Sequence, residues 1–390
     1  MKKKKSLIFM SALLILAIIT TMIFTSSCSK STEPTDVVFT ALPYAGVDCA
    51  YGFAEGVNND GSIVLGGSAV NTPDNGKYFE IPPVYWTEDV VTILPFPTDQ
   101  IPGFARQCAV YDISNTGIMV GTQAIADLSP FAYYYFGNQW HAIIDPATSA
   151  QAQTVSAISD DGTRVVGLSA NMVGNHGGYY YDITTGNFTI LTSTFGDSAQ
   201  YSNAQTSLFD ISGDGLIMVG SDQASKFDSI GIELPIYFNM AKDTLPTRLP
   251  LPSGYTAGVA QGISNDGSTI VGHVYDDEET PYAAYWDENR QAHLLGTYSP
   301  YPGPEQPATI AHAASDNGDR IVGTSYEIAF IKFKNDQMFP LQEWLEDEGL
   351  ASELADWDLI TATAITHDGH WIVGTGRDGV YTRAFKVYIP

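Results

Sequence analysis

Two short apolar runs, joined by a polar turn that ends in Gly, recur along this chain. The clearest copy is residues 263–272, ISNDGSTIVG. Each copy has an apolar residue four positions before the turn Gly, and a second Gly closes the copy four or five positions after it. The seven turn glycines are Gly61, Gly117, Gly162, Gly215, Gly267, Gly318 and Gly369. Because Gly adopts left-handed backbone angles without steric cost, the pattern predicts a β-hairpin in every copy.

The segment after each hairpin also repeats, and it predicts two further strands. Third strands, rich in aromatic and apolar residues, are predicted at 84–86, 132–136, 179–181, 236–238, 283–286, 329–333 and 384–388. Fourth strands are predicted at 91–94, 140–144, 188–191, 247–249, 293–295 and 338–341. A seventh fourth strand is missing at the C-terminus, but residues 37–43 supply a matching sequence ahead of the first repeat.

These strands predict an all-β fold, a seven-bladed β-propeller of four-stranded blades. The N-terminal strand closes the last blade, which removes an exposed sheet edge. The tight hairpin turns then lie on one face, the turn face. The longer connections lie on the opposite face, the long-loop face, where ligand sites usually gather on a rigid scaffold.

Residues 341–354 depart from the repeat and predict an amphipathic helix. Its apolar side carries Leu341, Trp344, Leu345 and Leu354. We expect this helix to cover one end of the central channel.

The N-terminus carries a basic segment, Lys2 to Lys5, and an apolar stretch over residues 7–24, a pattern typical of an export signal. Residues 25–28, TSSC, resemble the lipobox of bacterial lipoproteins. The resemblance implies a lipoprotein signal peptide over residues 1–27, acylation of Cys28 and a polar tether over residues 28–36. A single propeller domain over residues 37–390 follows. The alternative is an uncleaved transmembrane anchor.

Acylation of Cys28 implies an outer-membrane lipoprotein in the envelope of a Gram-negative bacterium, either periplasmic or surface-exposed. The formal net charge of −26 repels phosphate backbones, so no nucleic-acid partner is expected. We expect a monomer. Cys49 and Cys108 lie near the starts of successive repeats. Export permits a disulfide between them, and two free buried thiols are the alternative.

Six side chains in or beside the predicted long loops are candidate ligand contacts. Ten of the 22 Tyr fall in the predicted third strands, where they are expected to pack in the core. The candidates are Tyr201, Tyr255, His273, Tyr275, Tyr298 and Tyr301.

The densest acidic cluster is Asp276, Asp277, Glu278 and Glu279. Neighbouring carboxylates can hold a cation such as Ca²⁺, and the alternative is a solvated loop. No other cofactor is predicted. The sequence contains no Gly-x-Ser-x-Gly, no His-Glu-x-x-His and no phosphate-binding Gly loop, which favours a protein that is not an enzyme.

The repeat unit Ala-x-x-Ile-Ser-x-Asp-Gly-x-x-Ile-Val-Gly resembles the HAF-type extracellular repeat of exported bacterial proteins. The best local match is residues 357–376, WDLITATAITHDGHWIVGTG, followed by RAF at 383–385. The resemblance covers roughly residues 37–390. It implies a propeller-like architecture and export, and it brings no catalytic residues.

The sequence therefore predicts a lipid-anchored envelope protein that binds a glycan or a protein through its long-loop face. Two alternatives stay open. One is a hydrolase or lyase that acts on polysaccharide from a propeller scaffold, which two converging carboxylates would favour. The other is a structural surface protein, which a long-loop face without a pocket would favour.

Overall fold

The computed structural model describes residues 34–46, 50–71, 79–88, 90–98, 105–125, 130–170, 176–195, 201–226, 231–298 and 308–390. One compact unit spans Asp36–Pro390. Within these residues the strands form seven four-stranded antiparallel sheets and one two-stranded sheet. No helix in the described part of the chain is both long enough and apolar enough to span a bilayer.

The strands are numbered in chain order. The N-terminal strand and blade 1 comprise β1 (Val38–Ala41), β2 (Gly52–Val57), β3 (Ile63–Ser68), β4 (Val70–Asn71), β5 (Phe79–Glu80), β6 (Pro83–Thr87) and β7 (Val90–Ile93). Blades 2 and 3 comprise β8 (Arg106–Ile113), β9 (Met119–Ile125), β10 (Phe131–Phe136), β11 (Gln139–Ala142), β12 (Thr154–Ile158), β13 (Arg164–Ala170), β14 (His176–Asp182) and β15 (Phe188–Ile190).

Blades 4 and 5 comprise β16 (Tyr201–Ile211), β17 (Ile217–Lys226), β18 (Ile232–Asn239), β19 (Thr247–Arg248), β20 (Ala257–Ile263), β21 (Ile270–Tyr275), β22 (Pro281–Trp286) and β23 (Ala292–Leu294). Blades 6 and 7 comprise β24 (Thr309–Ala314), β25 (Arg320–Ser325), β26 (Ile328–Phe333), β27 (Met338–Pro340), β28 (Trp357–Ile365), β29 (Trp371–Asp378) and β30 (Tyr381–Tyr388). The order in blade 7 is β1-β30-β29-β28, so the N-terminal strand closes the ring and the predicted propeller is confirmed.

Each hairpin turn is held by its own side chains. In blade 5, Ser264 Oγ donates to Asp266 Oδ1 at 2.6 Å, and the Ser268 amide donates to the same oxygen at 2.9 Å. The Thr269 amide donates to Ser264 Oγ at 2.9 Å. The turn glycines have positive φ, between 62° at Gly318 and 82° at Gly117. The Ser-x-Asp-Gly sequence therefore specifies this turn through hydrogen bonds within the turn itself.

Every first strand contains a β-bulge, which the sequence pattern did not predict. The register shifts by one residue at the same place in all seven blades. The extra residues are Glu55, Tyr111, Ser156, Phe209, Gln261, His312 and Thr363. A bulge of this kind bends the strand and redirects its side chain.

The apolar core is divided among the blade interfaces. Seven clusters of buried apolar residues each join two neighbouring blades, as Leu65 and Leu94 of blade 1 join Val110 of blade 2. The residue before each bulge residue is at most 1% exposed. These residues are Ala54, Val110, Val155, Leu208, Ala260, Ala311 and Ala362. The centre of the ring is thereby left free of core packing.

The predicted helix is shorter and lies elsewhere than expected. The α-helix α1 spans Leu341–Leu345, and a π-helical turn continues it to Leu350. Leu341, Leu345 and Leu354 are fully buried as predicted, but they join the cluster between blades 6 and 7. No residue of this segment lines the channel cavity, so its expected role as a channel cover was wrong. Its apolar side is used to extend a blade interface.

Two predicted loops contain strand structure. The connection after β3 includes the small β4–β5 sheet. In blade 4, β16 and β17 continue as a hairpin to the pair Tyr201 and Lys226, so the backbone of Tyr201, which was expected in or beside a long loop, belongs to a strand. Many of the paired residues in these extra strand segments are polar. The alternation of apolar and polar positions therefore did not predict these segments.

Candidate functional site

The seven first strands surround a central channel with a cavity of about 570 Å³. Three levels of residues, defined by their place in the repeat, follow one another along it. The bulge ring consists of Glu55, Tyr111, Ser156, Phe209, Gln261, His312 and Thr363. The aliphatic ring consists of Val57, Ile113, Ile158, Ile211, Ile263, Ala314 and Ile365. The turn ring consists of Asn59, Asn115, Asp160, Gly213, Asn265, Asp316 and His367.

The bulge ring differs from the rest of the repeat in composition. Its seven positions hold seven different side chains, including an acid, an amide, an imidazole and two aromatic rings. The positions just before it and two after it hold only aliphatic residues. The scaffold therefore repeats, while the surface that it presents to the channel does not.

Glu55 extends from the bulge of blade 1 into the channel. Burial raises the pKa of its carboxyl to about 7. Its neighbour in the ring is Tyr111, whose pKa is raised to about 12 by burial and by the charge of Glu55. The Glu55 carboxylate accepts no hydrogen bond from the described residues. Glu55 is partly exposed to the cavity, so its charge is left to the solvent or to a bound group.

Two other acids in the channel are held by the backbone. Asp112 accepts the amides of Ile113 at 2.8 Å and Ile158 at 2.9 Å. Asp210 accepts the amides of Ile211 and Ile263, both at 2.8 Å. Burial raises the pKa of Asp112 to about 6 and that of Asp210 to about 7. Each side chain links its blade to the next, so both are best understood as clamps between blades.

His312 occupies the bulge of blade 6. Its Nε2 hydrogen-bonds Thr324 Oγ1 at 3.1 Å, and Thr324 Oγ1 donates to Thr361 Oγ1 of blade 7 at 2.6 Å. Burial lowers the pKa of His312 to about 4. The imidazole is therefore neutral at neutral pH and adds no positive charge to the channel.

Hydrogen bonds join neighbouring turns around the channel at the turn face. The Asn115 amide donates to the Asp160 carbonyl at 2.9 Å, the Asp160 amide to Gly213 at 3.0 Å, and the Gly213 amide to Asn265 at 2.9 Å. The Asn59 side chain also reaches Asp160 Oδ1, at 3.1 Å, from two blades away. Five residues of the turn ring line the cavity, which therefore extends to this face.

The predicted contacts His273 and Tyr275 lie together on β21, outside the channel lining. His273 is 6% exposed, and its Nε2 hydrogen-bonds the Tyr275 hydroxyl at 2.9 Å. Its Nδ1 is buried without a partner among the described residues. Burial, with a contribution from nearby His312, lowers the pKa of His273 to about 4. The sequence placed His273 in a loop, whereas the structure buries it behind the channel wall.

Two predicted tyrosines lie in separate places. Tyr255 is half-buried and meets Tyr282 edge-on, with 5.4 Å between ring centroids. The Tyr298 hydroxyl donates to Glu343 Oε1 at 2.6 Å, beside a second cavity of about 360 Å³. Neither residue lines the channel. The candidates whose side chains are described therefore form three different contacts.

Other predicted sites fall partly or wholly outside the described residues. Cys28, Cys49 and Tyr301 lie outside them, and for Tyr201 only the backbone is described. Cys108 is a buried free thiol on β8, and burial raises its pKa far above the usual range. A disulfide with Cys49 stays a prediction.

The acidic cluster forms the turn between β21 and β22. Asp276 accepts the amides of Glu278 at 2.9 Å and Thr280 at 3.0 Å, so its carboxylate closes the turn. Asp277, Glu278 and Glu279 are exposed. In the part of the chain that the structure describes, no group of three or more His, Cys, Asp or Glu side chains is arranged to hold a metal ion.

The channel residues were missed at the sequence level, although a signal was present. Aligning the seven hairpins on their turn glycines shows one column, six positions before the Gly, that never repeats a residue type. That column is the bulge ring. A variable position inside an otherwise regular unit marks the surface that the repeat scaffold presents.

Comparisons with known proteins concern the fold. No family model matches the sequence, and no curated protein matches it. The β-propeller domain of the trilobed protease from Pyrococcus furiosus is similar, with a TM-score of 0.52 and 9% identity over 87% of this chain and 96% of that one. An oligogalacturonate lyase from Vibrio parahaemolyticus is similar, with a TM-score of 0.51 and 10% identity over 91% of this chain and 97% of that one. Strand order, ring closure and these likenesses identify the chain as a seven-bladed β-propeller.

Proposed function

We propose that this protein is a lipid-anchored β-propeller of the bacterial cell envelope that works as a non-enzymatic binding module. It takes part of a glycan or protein ligand into its central channel from the long-loop face. The observation that carries the proposal is the bulge ring, where seven different side chains line one cavity on an otherwise repetitive scaffold. A cavity of about 570 Å³ lies within the range of ligand pockets.

A blocked channel tests this proposal. Replacing Ser156 of the bulge ring by Trp (Ser156→Trp) puts a large side chain where a small one lines the cavity. We expect at least about a tenfold loss of affinity for any glycan or protein that the unaltered chain captures on glycan arrays or in pull-downs from envelope extracts. The matched control is Leu245→Trp, at an exposed apolar position between β18 and β19.

Equal binding by the Ser156→Trp and unaltered chains would contradict a channel site. Both variants are compared by circular dichroism and thermal unfolding, so that a folding defect is separated from a blocked site. Loss of binding by Leu245→Trp alone would instead place the ligand on the outside of the ring.

An enzyme that acts on polysaccharide is the second candidate. Glu55 favours it, because a carboxyl with a pKa of about 7 is suited to general acid catalysis at neutral pH. The similar lyase from Vibrio parahaemolyticus is named for oligogalacturonate. Cleavage of polysaccharides by the unaltered chain, and its loss in Glu55→Gln, would favour this alternative over simple binding.

Lipid anchoring through Cys28 is tested separately. In cells fed an alkyne analogue of palmitate, we expect the unaltered protein to be labelled and to sediment with membranes. Cys28→Ala removes the acylated thiol, so the variant should be unlabelled and should keep its signal segment. Cys49→Ala is the matched control and should be labelled normally. Persistent labelling of Cys28→Ala would refute acylation at this position.

A further inference from the structure

Glu55 differs from the other carboxylates of the channel in lacking a donor. Asp112 and Asp210 each accept two backbone amides. Asp160 accepts the side-chain amide of Asn59. No described residue donates to Glu55, which stands in the bulge ring between a buried Ala54 and a buried Gly56. Glu55 is partly exposed to the cavity, so its carboxylate is open to a bound cation.

The described channel wall has more carboxylates than basic groups, and of its two imidazoles His367 lies beside Asp316, with 3.6 Å between Nδ1 and Oδ2. The residues that line the cavity include the carboxylates of Glu55, Asp112, Asp160 and Asp210, but no Lys or Arg. The His312 imidazole is neutral at neutral pH, because burial lowers its pKa to about 4. Carboxylates in a narrow cleft concentrate a negative potential that attracts cations.

Aromatic rings stand at the same level as Glu55. Tyr111 follows Glu55 in the bulge ring, in the next blade, and both residues line the cavity. The backbone beside Glu55 packs against that of Tyr111, since a Cβ on Gly56 would lie 2.2 Å from the Tyr111 carbonyl oxygen. Phe209 belongs to the same ring. A carboxylate beside an aromatic face is an arrangement that suits ammonium and guanidinium groups. A cavity of about 570 Å³ has room for an organic group.

We propose that the channel binds an organic cation, a protonated amine or a guanidinium, with Glu55 as its counter-ion and Tyr111 as the aromatic face beside it. This inference rests on the proposed function, because it names the charge of the group that the channel takes. The cation leads the ligand into the channel, and the long-loop face contacts the remainder.

Calorimetric titration of the full chain in detergent with n-butylamine and butylguanidine tests the proposal. Neutral n-butanol is the matched probe without charge. We expect both cations to bind at least about tenfold more tightly than butanol. Glu55→Gln keeps the shape of the side chain and removes its charge, and should lower the affinity for the cations at least about tenfold. Tyr111→Leu should lower it about threefold or more, through loss of the aromatic face.

Proton release gives a second readout. Burial raises the pKa of the Glu55 carboxyl to about 7, so part of it is protonated at neutral pH and a bound cation should expel a fraction of a proton. Titration in buffers of different ionisation enthalpy measures this release. Asp112, Asp160, Asp210 and the two imidazoles of the channel stay present in Glu55→Gln, so loss of the release in that variant isolates Glu55. Glu348→Gln, at an exposed position after α1, is the matched control and should behave as the unaltered chain.

The outcomes separate this inference from the function on which it rests. Equal binding of butylamine and butanol, or unchanged binding in Glu55→Gln, overturns the organic cation. If Ser156→Trp still blocks a glycan or protein ligand in that case, the channel remains the site. Two further probes identify the source of the cation. If a blocked peptide with a central Lys binds more tightly than the same peptide with Gln, the cation is a protein side chain. Tighter binding of free spermidine than of that peptide indicates a small molecule.

Discussion

A chain shortened to begin at Leu42, and therefore without β1, is expected to be less stable by about 4 kcal/mol or more than one that begins at Val37. The truncation removes the strand that pairs with β30 from Val38 opposite Tyr388 to Ala41 opposite Phe385. It also removes Phe39, whose ring lies 5.0 Å from that of Trp357 and 5.9 Å from that of Phe385. Both partners belong to the cluster between blades 6 and 7.

The loss should also change how the protein associates. Without β1, the backbone of β30 becomes an unpaired edge beside an exposed apolar surface, which is a template for pairing with another chain. We therefore expect the shortened chain to form dimers or larger aggregates, while the chain that begins at Val37 stays monomeric. Light scattering and urea unfolding followed by Trp fluorescence measure the two effects.

A peptide of residues 36–43, added in trans, provides the internal control. It should restore part of the stability, whereas a peptide with Asp at the position of Phe39 should not. If the two chain lengths unfolded at the same urea concentration, the ring would be held closed by side-chain packing between blades, and β1 would be dispensable.

The architecture was predictable because each blade repeats the same short sequence motifs. The Ser-x-Asp-Gly turn fixes a hairpin by bonds among residues that are at most five apart, as between Ser264 and Thr269. The count of strands then required an N-terminal partner for β30. Both inferences use information that is close in sequence or common to all copies, and the structure confirms both.

The candidate site was not predictable in the same way, because it depends on a register shift. A first strand without its bulge would alternate its side chains regularly between two faces. Glu55 is a bulge residue and Asp112 directly follows one, so in regular strands their side chains would point to opposite faces. The bulge brings both onto the channel wall. The irregular loops departed visibly from the repeat, and His273 beside one of them was expected to be accessible although it is 6% exposed.

The extent of the apolar helix shows a second limit of pattern reading. Leu341, Leu345 and Leu354 were correctly predicted to be buried. Periodicity gives the buried side of a helix but carries no information about which surface covers it. Here the surface belongs to blades 6 and 7, and the channel is left uncovered by this segment.

Gly272→Ala is expected to destabilise the protein by about 3 kcal/mol or more, because the bulge of blade 5 leaves no room for a methyl group. A Cβ at this position would lie 2.0 Å from the Val259 carbonyl oxygen and 3.0 Å from the Gln261 amide nitrogen. Both contacts are with backbone, which cannot turn away as a side chain does. The same clash recurs at the closing Gly of every blade, between 1.8 and 2.5 Å from a carbonyl oxygen of the first strand. The second Gly of the repeat is thus needed because the bulged first strand leaves no space for a side chain opposite it.

Two matched substitutions separate this clash from the general effect of replacing Gly. Gly117→Ala meets nothing within 4 Å but sits at φ +82°, so backbone strain alone should cost about 1–2 kcal/mol. Gly231→Ala has an ordinary φ and a nearest neighbour at 3.6 Å, and it should be neutral or stabilise by up to about 1 kcal/mol. Urea unfolding should show the largest loss of stability for Gly272→Ala, a smaller loss for Gly117→Ala and none for Gly231→Ala. If Gly272→Ala were as stable as Gly231→Ala, the backbone of the bulge would have to move to make room for the methyl group. Because Gln261 is the bulge residue, the channel wall would then be adjustable and not fixed by the closing glycines.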